Sequence, residues 1–100
     1  VPIAPYGTPS TDEIPLSISP YLNQSDVILL ANHGALTFGQ DLMTAYFKTE
    51  TLEHTAKIYH LSKQLNNVNS IDQENVNKLI DLRKKMNLPG IITINGKTIQ

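Results

Sequence analysis

Two short apolar runs, VILLA at residues 27–31 and ALTF at residues 35–38, are separated only by Asn32-His33-Gly34. This pattern constrains the chain more than any other. The first run has strand length, opens on a β-branched residue and follows the polar segment 23–26. Unbroken apolar character over such a length predicts a strand buried on both faces. The second run alternates weakly and ends at Gly39, which reads as a strand turning back. His33 then stands at the tip between two buried strands. Gly34 beside it can take a positive φ without steric cost.

A long helix should follow. Asp41 is a good N-cap, and Leu42, Ala45, Thr49, Leu52, Ala56 and Tyr59 recur at steps of three and four. That spacing predicts a helix over roughly residues 41–64 with one buried stripe, which Tyr46 and Phe47 widen. Glu53 and Lys57 form an i, i+4 pair in the favourable order. Beyond a polar loop at residues 66–70, Asp72 offers a second N-cap, with Ile71 placed to staple onto Val76. The helix it starts should run to about Met86, with Val76, Leu79, Ile80, Leu82 and Met86 on its apolar side, and Pro89-Gly90 should stop it. The tail IITINGKTIQ alternates around Asn95-Gly96, a strong hairpin signal.

The first 22 residues are less regular. VPIAPYGTP holds three prolines and a glycine in nine residues, so it should run extended, along a sheet edge where missing N–H groups do little harm. Ser10-Thr11-Asp12-Glu13 has the S-x-x-E form of a capping box. The helix it announces contains Pro15 and Pro20, so it should be short, bent or partly 3₁₀.

Composition narrows the function classes. One hundred residues suffice for one modest domain. Forty percent hydrophobic and 17% charged residues are ordinary globular values. The net charge is −1, and the one basic cluster, Arg83-Lys84-Lys85, falls at a predicted helix end where positive charge suits the macrodipole. No basic stripe of a nucleic-acid binder is present, and no apolar run approaches a membrane span. With no cysteine, disulfides and Cys-based zinc sites are excluded, and a reducing cytoplasm is the compatible compartment. The chain opens on Val1 rather than Met, so a fragment or processed chain is expected.

From spacing alone no active site emerges. A zinc site needs at least three protein ligands. The remaining histidines, His54 and His60, lie six residues apart on the long helix, about 240° of rotation, and cannot point at one ion. The carboxylates Asp12, Glu13, Glu50, Glu53, Asp72 and Glu74 have local work as caps and helix-surface charges, and no pair is spaced as an acid/base couple. No nucleophile elbow or phosphate-cradling glycine loop occurs. Read this way, His33 is a polar turn residue.

A resemblance changes that reading. VPIAPYGTPSTDE, followed by VILLANHGALTFGQDLMTAYFKTETLEHTAKIY, resembles the class II aldolase/adducin family over about residues 1–65. It is strongest at L-L-x-N-H-G and the downstream A-Y-x-x-x-E-x-L-E-H. The resemblance implies an α/β fold: a three-layer α/β/α domain with a largely antiparallel central sheet, of which residues 1–100 would be the C-terminal portion. It implies zinc held by three histidines, two from an upstream H-x-H and the third from the N-H-G turn, where His33 stands. The family's catalytic glutamate and phosphate-binding loops would also lie upstream, so no catalytic residue is assigned within this chain. Ser10, where the family has Gly, and the prolines at 15 and 20 depart from the pattern.

The implied parent is a cytoplasmic, zinc-dependent lyase and homotetramer. It would cleave a phosphorylated ketose of the L-fuculose-1-phosphate type by retro-aldol chemistry into dihydroxyacetone phosphate and an aldehyde. A 4-epimerase or dehydratase using the same zinc site, and a non-catalytic adducin-like interaction domain, are the alternatives.

Overall fold

The computed structural model describes residues 1–66, 68–88, 90, 92–94 and 97–99. Strands β1 (Ile3–Ala4), β2 (Val27–Leu30) and β3 (Gly34–Thr37) form one sheet in the order β1-β2-β3. β1 runs parallel to β2, with Ile3 beside Leu29 and Ala4 beside Leu30. β2 and β3 are antiparallel, from Val27 opposite Thr37 to Leu30 opposite Gly34. The described sheet is therefore small and mixed.

The proline-rich start behaves as its chemistry requires. Pro2 and Pro5 flank β1 and have no N–H to offer, but carbonyls suffice here. Leu29 donates to the Pro2 carbonyl at 2.9 Å and Ala31 to that of Ala4 at 3.1 Å. β1 is thus an edge strand that mostly accepts. Ala4 and Ile28 are fully buried at the β1–β2 pair.

Helix α1 (Glu13–Ile18) is short and passes directly into a 3₁₀ turn at Ser19–Tyr21, as its prolines require. The capping box predicted from Ser10 does not form. Asp12 is the N-cap and makes no side-chain cap bond, while Ser10 has φ 62°, a left-handed residue of the preceding turn. Glu13 reaches past it and accepts the Thr8 backbone N–H at 2.8 Å, and the Thr11 hydroxyl accepts from Glu13 N–H at 3.2 Å. The signature residues are used, but they close a loop instead of capping a helix.

Helix α2 (Leu42–Gln64) starts where predicted, with the Asp41 carboxylate accepting from Thr44 N–H at 2.7 Å. Its expected buried stripe is corrected by the structure. Ala45 and Leu52 are half-buried, whereas Leu42 is 83% exposed and Thr49, Ala56 and Tyr59 are exposed as well. The periodicity is genuine, but among the described residues α2 packs mainly on β3 and β2, and its apolar face extends past them. The prediction that β2 is buried on both faces, with a second buried strand after it, is corrected as well. Ile28 is buried, the rest of β2 is half-buried, and β3 begins exposed.

Helix α3 (Gln73–Lys85) is capped by Asp72, which accepts from Asn75 N–H at 2.8 Å. Ile80 is buried and Val76 half-buried, but Ile71, Leu79, Leu82 and Met86 are exposed, so the predicted staple and most of the apolar side remain open. Its stop is Asn87, not Pro89-Gly90. Asn87 has φ 50°. Its N–H reaches the Lys84 carbonyl, and Leu88 N–H reaches that of Arg83, the paired bonds of a Schellman motif. Strands β4 (Ile92–Ile94) and β5 (Lys97–Ile99) pair antiparallel as predicted; the turn residues Asn95-Gly96 and Pro89 lie outside the described residues.

Candidate metal-ligand turn

The β2–β3 turn is built to hold one imidazole. Leu30 pairs with Gly34, leaving Ala31, Asn32 and His33 to make the reversal. Asn32 takes φ 62°, and His33 N–H donates to the Leu30 carbonyl at 3.0 Å. Asparagine tolerates this left-handed conformation better than most residues. The sequence placed that burden on Gly34 alone; Gly34 does have a positive φ, 156°, but Asn32 occupies the left-handed helical region.

His33 is exposed, yet its ring is fastened from the other side of the sheet. Nε2–H donates to the Gly7 carbonyl at 2.8 Å, and the Tyr6 ring stacks on the imidazole at 5.2 Å between centroids and 9° between planes. The parallel β1–β2 pairing makes this meeting possible, since it carries the end of β1 towards the same end of the sheet as the end of β2.

The other sequence candidates do not join His33. His54 lies along an open groove of α2 with Thr49, Glu50, Glu53 and Lys57. His60 faces Gln64, Nε2 to Nε2 at 3.0 Å. Glu53 bridges Lys57 at 3.4 Å and Glu74 bridges Lys78 at 2.6 Å, both surface pairs. Glu50 accepts from the Tyr46 hydroxyl at 2.9 Å, a bond that raises the tyrosine above its ordinary 10.0. Among the described residues no group of three or more His, Cys, Asp or Glu side chains could hold a metal ion. His33 fits one ligand position, with a fixed ring and a second nitrogen open; it does not make a site by itself.

One polar contact escaped the sequence reading. Lys48 Nζ meets Asp26 at 2.7 Å and the Phe38 carbonyl at 2.8 Å, at the rim of an open cleft of about 710 Å³. The available signal was its position. Lys48 sits three residues after Ala45 and four before Leu52, on the half-buried side of α2, where a charge needs a partner.

The sequence profile described as Class II Aldolase and Adducin N-terminal domain matches residues 1–60. The chain belongs to the class II aldolase and adducin family. Curated relatives include an L-fuculose phosphate aldolase of Methanococcus maripaludis, 45% identical over 40 residues, which are 40% of this chain and 22% of that protein. The same enzyme of Methanocaldococcus jannaschii is 54% identical over 33 residues, 33% and 18% of the two chains. A 3-oxo-tetronate 4-phosphate decarboxylase of Haemophilus influenzae is 39% identical over 57 residues, 57% and 27%. The matched segments thus span about a fifth to a quarter of these relatives. No solved structure matches the chain at a significant level. The His33 turn and its Tyr6-Gly7 partner both lie within the matched residues of this class II aldolase-family chain. Among the described residues no helix is long and apolar enough to cross a membrane.

Proposed function

We propose that this chain supplies one histidine ligand, His33, to the zinc site of an enzyme that breaks a carbon–carbon bond in a phosphorylated sugar or sugar acid. The observation that carries the reading is the fastening of His33: a turn, a stacked tyrosine and a carbonyl hold one exposed imidazole at a family motif. An incidental turn histidine needs none of these. Zinc, when bound, supplies Lewis-acid polarisation of a carbonyl oxygen. This chain's own contribution is a neutral, oriented ligand.

The remaining ligands, the catalytic acid and the phosphate-binding loops belong to other parts of the domain, and residues 1–100 are its C-terminal portion. Two observations support this. The matched segments are small fractions of the relatives, and among the described residues the buried hydrophobic core is only Ala4, Ile28 and Ile80. The rest of the domain covers the exposed face of α2 and continues the sheet into a three-layer α/β/α arrangement. We place the enzyme in the cytoplasm as a homotetramer, as the family resemblance implies.

The first reading is an aldolase acting on a ketose phosphate of the L-fuculose-1-phosphate type. A second is decarboxylation of a 3-oxo acid phosphate, favoured by the decarboxylase match, which extends over more of this chain than the aldolase matches do. Both reactions leave the bonding electrons of the broken bond beside a carbonyl, which is why one Lewis-acid site could serve either. Assay of the intact protein with L-fuculose 1-phosphate and with 3-oxo-tetronate 4-phosphate separates them. Aldehyde release supports the first and carbon dioxide release the second. Turnover of neither, in a zinc-free protein, favours an adducin-like interaction domain instead.

A further inference from the structure

We draw no further inference here: the strongest candidate, the exposed apolar line of α2 formed by Phe47, Ile58, Leu61 and Leu65, carries none because nothing in the structure shows what covers it.

Discussion

Lys48 of α2 contacts Asp26 at 2.7 Å, and its second-turn position lets the same ammonium group hold the Phe38 carbonyl at 2.8 Å. Asp26 precedes β2 and Phe38 follows β3, so one side chain ties the helix to both open ends of the strand pair, opposite the His33 turn. The Thr37 hydroxyl of β3, which donates to the Ala45 carbonyl at 2.9 Å, adds a second polar tie between the sheet and α2. The Lys48–Asp26 pair is about one-third exposed, which limits its worth to roughly 1 kcal/mol. Lys48→Met keeps the aliphatic stem and removes the charge. Urea denaturation should show a loss of about 1 kcal/mol, with Asp26→Asn close behind; an unchanged midpoint in both variants would show that packing alone seats the helix.

The Thr8–Glu13 bond makes the approach to His33 sensitive to acid. Glu13 ionises below its ordinary 4.5 because its carboxylate accepts the Thr8 backbone N–H. A carboxylate with a depressed folded-state pKa contributes stability that is present above its unfolded value and lost as pH falls through the folded one. Loosening of residues 7–13 should therefore begin below about pH 4.5, followed by NMR at the Thr8 amide. In Glu13→Gln this step should vanish, leaving the amide equally weakly held at pH 6 and pH 4. A step of unchanged size would mean another carboxylate is responsible.

Asn32 carries the conformational strain of the turn at φ 62°. Asn32→Gly should be nearly neutral, whereas Asn32→Ala should cost about 1 kcal/mol, since alanine lacks the short polar side chain that offsets the Cβ penalty of the left-handed region. Thermal unfolding of the two variants gives the comparison. Equal melting temperatures would place the strain elsewhere.

The chain by itself should bind zinc no better than one exposed histidine does, because no second ligand lies with His33 among the described residues. Isothermal titration is the check. Sub-micromolar affinity for the 100-residue chain would mean that it holds a complete site.

Local chemistry made much of the fold legible. The N-caps Asp41 and Asp72, the proline-flanked edge strand and the strand-turn-strand around His33 follow from a few neighbouring residues each. Burial was not legible, because among the described residues the apolar stripe of α2 extends past β2 and β3, the strands on which it packs. Phe47, for example, remains 55% exposed despite its place beside that stripe. The capping box failed because Glu13 found a longer-range donor in Thr8, a competition that spacing cannot rank. The His33 turn was only half visible. The motif marked His33, but its fastening to Tyr6 and Gly7, 26 positions away for the bonded pair, depends on the parallel pairing of β1 with β2.

The central claim is that His33 is a zinc ligand in the intact protein. Elemental analysis of purified wild type and His33→Ala, each checked for native folding, addresses it most directly. The wild type should carry close to one zinc per subunit and the variant should lose most of it, with activity falling in parallel. A folded His33→Ala protein that keeps its full complement of zinc would contradict the account.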